Sequence, residues 1–135
     1  MLLPTDLVVT DNLDNPTLIE TVSVDAVPAG TMAVDIGEES RRATTEALAG
    51  SKTILWNGPL GVFEKSPFDS GTVAVAAAVG MSPAFTVIGG GETVAAARQA
   101  GIINNLGHVS TGGGASLEFL AGKALPGITV LEKSS

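Results

Sequence analysis

Glycine clusters punctuate this chain at regular places, and each one follows a short apolar run and precedes a segment with helical patterning. Met32 to Ile36 (MAVDI) ends at Gly37, Thr53 to Trp56 (TILW) runs into NGPLG, Phe85 to Ile88 (FTVI) into Gly89, Gly90 and Gly91, and His108 to Ser110 into Gly112, Gly113 and Gly114. Runs this short, without internal polar alternation, read as strands buried on both faces. Between them lie a helix from Glu38 with Ala43, Ala47 and Leu48 at helical spacing and Gly50 as its stop, and a second closed by Gly80. A short Ala-rich helix spans Glu92 to Ala100, and a last one about Ala115 to Leu120. For the second helix, Ser66 is the expected N-cap, with Pro67 at the first helical position and Asp69 in the first turn. Strands alternating with helices predict an α/β fold: three layers, with a parallel sheet covered by helices on both faces. Upstream, Asp6 to Thr10 is a further apolar run, and Glu20 to Val27 alternates as a half-exposed strand does, an antiparallel excursion at the sheet edge.

At 135 residues the chain has the size of one domain, and 44% hydrophobic against 16% charged residues excludes a disordered chain. A net charge of −7 opposes binding to nucleic acid, which depends on clustered Lys and Arg. With no cysteine, disulfides, thiolate metal sites and thiol nucleophiles are excluded. Val73 to Val79, the most apolar stretch, is far short of the ~20 residues that cross a bilayer and reads as a buried helix. The N-terminal residues lack the pattern of a secretory signal, so no membrane partner and a cytoplasmic location are the expectation.

An acidic protein that binds an anion must do so locally, through backbone amides, helix N-termini, a metal ion or a few placed cations. WNGPLG (56–61), IGGGET (88–93) and STGGGAS (110–116) are three strand-to-helix junctions that a doubly wound sheet sets at the carboxyl ends of its strands, where they can line one crevice. Glycine there permits positive φ and close approach of a ligand to the main chain, and the helix behind it offers unpaired N–H groups. Taken singly, each junction is equally compatible with a tight turn. No Walker A pattern and no dinucleotide fingerprint is present, so motif logic reaches only a phosphate or nucleotide site of unstated class.

Beyond that logic, TILWNGPLGVFE (53–64), GGGETVAAA (89–97) and HVSTGGGASLEFLAGKALPGI (108–128) resemble phosphoglycerate kinases in order and spacing, and LPTDLVVTDN and AVDIG resemble the family upstream. The resemblance implies a Rossmann-like lobe, the C-terminal portion of the enzyme, that binds Mg-ATP or Mg-ADP. The N-terminal lobe, which binds 3-phosphoglycerate in the family, has no counterpart here, and the nucleotide lobe is itself incomplete, since the family's first part of it, with a Lys-bearing glycine loop and part of the adenine pocket, also has none. It implies that Asn57 and Pro59 lie beside the nucleotide and that Glu64 accepts hydrogen bonds from the ribose hydroxyls. Gly90, Gly91, Glu92 and Thr93 would hold the metal–phosphate group. The family's usual residue at position 92 is aspartate, so Glu92 departs from the pattern and its direct coordination of Mg is open. Gly112, Gly113 and Gly114 would present amides to the phosphoryl group in transfer. Ser110 and Thr111 either cap the last helix or touch phosphate; Trp56 reads as core packing, and His108 carries no catalytic role.

None of the 7 Lys and Arg falls within the three glycine loops, so negligible kinase activity is expected of this chain alone. The ending LPGITVLEKSS resembles a native family C-terminus, whereas Met1 precedes a segment that lies mid-domain in the family. A sheet without its first strands would present an apolar edge to a second copy. The alternatives are a non-catalytic nucleotide-binding or assembly module and, from another class, a nicotinamide dehydrogenase, which lacks its glycine fingerprint here.

Overall fold

The computed structural model describes residues 1–132, so the last three residues of LPGITVLEKSS lie outside the described residues. Two three-stranded sheets are formed. In the first, β1 (Asp6–Thr10) is central and pairs antiparallel with both β2 (Ile19–Ser23) and β3 (Met32–Ile36), with a register shift between Val8 and Val9 on the β3 side. The second is parallel, in the order β4 (Thr53–Asn57), β5 (Phe85–Gly89), β6 (His108–Ser110). The fold is α/β with a parallel three-stranded sheet flanked by helices, as the alternation of elements predicts.

The single-sheet expectation needs correction. MAVDI and DLVVT do not join the parallel sheet; with Ile19–Ser23 they make a separate antiparallel one. The reason is the connections. β1, β2 and β3 are joined to one another by loops and one 3₁₀ turn (Val24–Ala26), without the helical crossover that parallel neighbours use, so they pair antiparallel; α1 then carries the chain from β3 to the second sheet. Asp11 closes the first loop by accepting from the hydroxyl of Thr17 and from the amides of Thr17 and Leu18, each at 3.0 Å. The Thr17 hydroxyl first, and the Leu18 amide next, hold its carboxyl down at about 2.

α1 (Glu38–Ala49) packs on α2 (Ser70–Met81) and on β1. α2 and α3 (Gly91–Gln99) cover one face of the parallel sheet. There Ile54, Trp56 and Ile88 meet Val75, Val79 and Ala97 in a continuous core. On the other face Leu55 and Val87 look toward α4 (Gly113–Leu120) and α5 (Pro126–Glu132) across an open apolar groove, and Leu55 remains 45% exposed.

α2 begins three residues later than its Ser66–Pro67 signal suggests. Residues 62–68 instead form successive turns, with Lys65 N–H donating to Val62 O (3.0 Å) and Phe68 N–H to Lys65 O (2.8 Å), around the buried Phe63 and Phe68. Asp69, not Ser66, occupies the N-cap position, and its side chain makes no cap bond. The cap comes from β3: the Asp35 carboxylate accepts from Gly71 N–H at 2.7 Å. α1 is capped in the same manner by Asp6 on β1, which accepts from the amides of Glu39 (3.0 Å) and Ser40 (2.8 Å) and from the Ser40 hydroxyl (2.5 Å). Gly37, the residue in the N-cap position, has no side chain to do this; a Cβ there would lie 2.1 Å from the Asp6 carboxylate.

Candidate functional site

Register fixes where the three glycine junctions stand. Asn57 is paired with Gly89, and Gly89 with Ser110, so the carboxyl ends of β4, β5 and β6 stop at one level. The loops that follow therefore leave the sheet side by side, at the ~4.8 Å spacing of neighbouring strands. Contacts between them are close. Gly90 N–H donates to Ser110 O at 3.0 Å. A Cβ on Gly113 would come within 3.3 Å of Gly90 Cα, and one on Gly89 within 2.8 Å of the Asn57 amide nitrogen. Gly90 has φ +96°, a conformation L side chains rarely adopt. Glycine is thus required at position 90 by its backbone angle, and positions 89 and 113 are restricted by the close approach of the loops, before any ligand is considered.

The structure brings together Asn57, Gly90, Thr93 and Gly113. Pro59 lies half-buried in the turn after Asn57, and the Asn57 side chain is open to solvent. Gly91, Glu92, Gly112 and Gly114 are exposed at the same edge, Gly91 and Glu92 in the first turn of α3 and Gly114 in that of α4. Neither helix has a cap from its own N-cap side chain; at the entry to α4 the Gly112 and Gly113 amides turn back to Ser110 Oγ (3.3 Å) and Thr111 O (3.2 Å), and the other first-turn amides have the positive end of the helix dipole behind them. Main-chain donors from two helices converging beside a carboxamide make a receptor for an anion with several oxygens.

Thr93 has its hydroxyl engaged within the protein. It is 1% exposed, and its hydroxyl accepts from Gly58 N–H (2.7 Å) while donating to Gly89 O (2.7 Å). That hydroxyl is a clasp between the WNGP and GGGET loops, and its single proton is already used. Trp56 is 7% exposed in the core, and its indole N–H donates to Gly58 O at 2.7 Å, fixing the same turn from below. Ser110 pairs with the Ser116 hydroxyl (2.7 Å) and accepts from Gly112 N–H (3.3 Å), which steadies the entry to α4. His108 is an exposed residue of β6.

Glu64 stands at the far end of the loop that begins at Asn57, exposed between the buried Phe63 and the turn at Lys65. Two clamps hold this loop that sequence reasoning missed. The Thr72 hydroxyl accepts from Leu60 N–H (2.8 Å) and donates to Leu60 O (2.5 Å), and Asp35 reaches across from the antiparallel sheet. Burial raises the Asp35 carboxyl above its ordinary value, and this outweighs the opposing pull of the Gly71 and Ile36 amides. An aspartate inside an otherwise apolar strand, one residue before the Ile-Gly turn, was the available signal.

Among the described residues, no group of three or more His, Cys, Asp or Glu could hold a metal ion. One exposed carboxylate at a helix start, Glu92, fits a magnesium ion that arrives on nucleotide phosphates, because Mg commonly takes one or two protein carboxylates, phosphate oxygens and water. It does not fit an autonomous protein metal site. No helix among the described residues is long and apolar enough to cross a membrane.

With this geometry in hand, the comparison with known proteins is decisive. The family model described as phosphoglycerate kinase matches residues 1–123. The chain belongs to the phosphoglycerate kinase family. It is 50% identical over 134 residues to the phosphoglycerate kinase of Desulfosudis oleivorans, covering 99% of this chain and 34% of that protein. It is 53% identical over 131 residues to that of Moorella thermoacetica, covering 97% and 33%. The structure of phosphoglycerate kinase from Coxiella burnetii superposes with a TM-score of 0.86 at 41% identity, over 96% of this chain and 33% of that one. The enzyme from Pyrococcus horikoshii gives 0.78 at 35% identity, over 96% and 32%. The chain thus spans about a third of the length of the relatives it matches.

Proposed function

We propose that this chain is the C-terminal, nucleotide-binding portion of a phosphoglycerate kinase and that it takes Mg-ADP or Mg-ATP at the carboxyl edge of its parallel sheet. The observation that carries this reading is the common level of Asn57, Gly89 and Ser110, which aligns two uncapped helix starts on one anion. In the whole protein the reaction is reversible transfer of the acyl phosphate of 1,3-bisphosphoglycerate to ADP, the glycolytic step that yields 3-phosphoglycerate and ATP. The phosphorus–oxygen bond to the acyl oxygen breaks, a bond to a terminal ADP oxygen forms, and a carboxylate leaves.

In this reading Asn57 and the amides of Gly91 and Thr93 hold the nucleotide phosphates, with Gly90, whose own N–H is engaged by Ser110 O, allowing close approach of the main chain, while Pro59 and Glu64 flank the nucleoside. Glu64, an acceptor with several lone-pair sites, suits two ribose hydroxyl donors. The Thr93 hydroxyl supports rather than binds. The loop Gly112, Gly113 and Gly114 serves the phosphoryl group in flight, the Gly114 amide directly and those of Gly112 and Gly113 by exchanging their long bonds to Ser110 Oγ (3.3 Å) and Thr111 O (3.2 Å) for phosphoryl oxygens. Glu92 would hold a magnesium ion carried on the nucleotide, through water if the extra methylene sets its carboxylate too far out, and the ion would supply neutralisation of phosphate charge. A cytoplasmic location belongs to the same reading.

This stretch alone is proposed to lack kinase activity. Its glycine loops contain no Lys or Arg, and Lys65, which is near Glu64 in sequence, is engaged with Asp14. 3-Phosphoglycerate would be bound by a part of the protein outside this sequence. A second copy is proposed to pair along the outer edge of β4, which among the described residues has a strand neighbour on the β5 side only.

Trp56 provides the test, since its indole is bonded to the turn that receives the nucleotide. Titration with Mg-ADP is expected to change its fluorescence saturably. Absence of any response at millimolar nucleotide sinks the binding assignment and leaves the assembly-module reading in its place.

A further inference from the structure

Asp35 is a deeply buried carboxylate, 5% exposed, for which the nucleotide reading has no use. Its two oxygens are both committed: Oδ2 accepts from Gly71 N–H at 2.7 Å and Oδ1 from Ile36 N–H at 2.8 Å. The carboxylate is also wedged between two glycines. A Cβ at Gly61 would lie 2.6 Å from Oδ1, and one at Gly71 would lie 2.3 Å from it. Immediately beside it, Val62 N–H donates to Val34 O at 2.8 Å. Both ends of the segment from Gly61 to Gly71 are therefore tied to consecutive residues of β3, a strand of the other sheet. Glu64 projects from the middle of that segment, with Phe63 and Phe68 buried on either side of it.

We propose that Asp35 is a positioning residue for the ribose end of the nucleotide site, fixing from the antiparallel sheet the segment that carries Glu64. The proposal rests on the nucleotide reading above. Its physical content is a division of labour. The phosphate end is built by the parallel sheet's own loops, through Thr93 and the Gly90–Ser110 contact, whereas the ribose end takes its position from β3. An asparagine at position 35 cannot reproduce the arrangement, because its NH2 group would face one of two N–H donors that the carboxylate now satisfies. Loss of Asp35 should thus move Glu64 and leave the phosphate loops as they are.

The test compares Mg-ADP with Mg-2′,3′-dideoxy-ADP on the full 135-residue chain by Trp56 fluorescence. The wild-type chain is expected to prefer ADP by about tenfold, the scale of charge-assisted bonds to the ribose hydroxyls. Asp35→Asn should abolish this preference by weakening ADP alone, and adding Glu64→Gln to it should change little more, since both act on one interaction. If Asp35→Asn keeps the wild-type preference, or weakens both nucleotides equally, Asp35 is merely structural and the proposal fails. Should that variant not fold, Gly61→Ala pushes the same segment away from the loop side, at a position with φ +64°, and is expected to give the same selective loss. A retained preference in Gly61→Ala overturns the proposal as well. A wild-type chain that binds neither nucleotide overturns the nucleotide reading itself, and one that binds both equally overturns the role of Glu64; in either case the role of Asp35 falls with it.

Discussion

Replacing Thr93 by valine removes one hydroxyl and almost no volume, and it isolates the clasp between the first two glycine junctions. The hydroxyl satisfies Gly58 N–H and Gly89 O, both at 2.7 Å, in a residue that is 1% exposed. Two hydrogen bonds at about 1 kcal/mol each give roughly 2 kcal/mol of destabilisation, with more if the Gly58 donor cannot find water. Unfolding entropy near 2.1 cal/mol/K per residue is about 0.28 kcal/mol/K for 135 residues, so the melting temperature should fall by about 7 °C. Thr93→Ser is the control: it keeps both bonds and loses one buried methyl, about 1 kcal/mol. Calorimetry or circular dichroism melts of the three proteins should rank wild type above serine above valine. If valine melts with or above serine, the clasp is not what holds these loops. If Thr93→Val instead keeps its stability and loses Mg-ADP affinity, the hydroxyl is a direct phosphate ligand.

Asp6→Asn should cost about 1–2 kcal/mol at neutral pH by weakening the remote cap on α1. Burial pushes the Asp6 carboxyl up, but the Ser40 hydroxyl and the Ser40 and Glu39 amides together outweigh it and hold the group below its ordinary 3.8. The stability it contributes is therefore present above 3.8 and lost as pH falls through the lower folded value. The gap between the two proteins in denaturant midpoint should accordingly close in acid; a gap that widens there refutes the assignment. Glu92→Asp restores the shorter carboxylate of the family pattern, and it should strengthen ADP binding with magnesium several-fold while leaving metal-free ADP unaffected, as read by Trp56 titration. Leu55→Lys, on the strand with an open edge and 45% exposed, should lower the unfolding free energy by about 1 kcal/mol through the half of the side chain that lies in the apolar groove, and shift sedimentation toward monomer if copies pair there.

What could be read in advance divides by physical range. The parallel strands, α1 and α3 were legible, because apolar runs ending in glycine and helical spacing are local signals. Convergence of Asn57, Gly89 and Ser110 was legible too, since a doubly wound sheet leaves its strand-to-helix loops on one edge. The start of α2 was not. Ser66 and Pro67 are sound local start signals, yet the helix waits for Ser70 because its acceptor sits 36 residues away on Asp35. The place of the Thr93 hydroxyl was not legible for a similar reason: local sequence does not name the partner from another loop, Gly58 N–H, that occupies it. The separate antiparallel sheet was hidden because MAVDI, followed by α1 and then β4, has the local pattern of a strand of the parallel sheet, and its pairing with β1 is a non-local choice that this pattern does not record.

The capping pattern ties fold to function. Four helices of this chain begin without a cap from their own N-cap side chain. At α1 and α2 the vacancy is filled by a carboxylate from the antiparallel sheet, Asp6 or Asp35, and an anion is already in place at the positive end of the dipole. At α3 and α4 glycine occupies the same position, and the amides open toward the edge where Asn57 stands. A second carboxylate placed there by mutation would do to α3 what Asp35 does to α2. Gly91→Asp should thus stabilise the start of α3 while repelling nucleotide phosphate, so that melting temperature and Mg-ADP affinity move in opposite directions. Movement of both in the same direction would mean that the α3 amides are not where the phosphate binds.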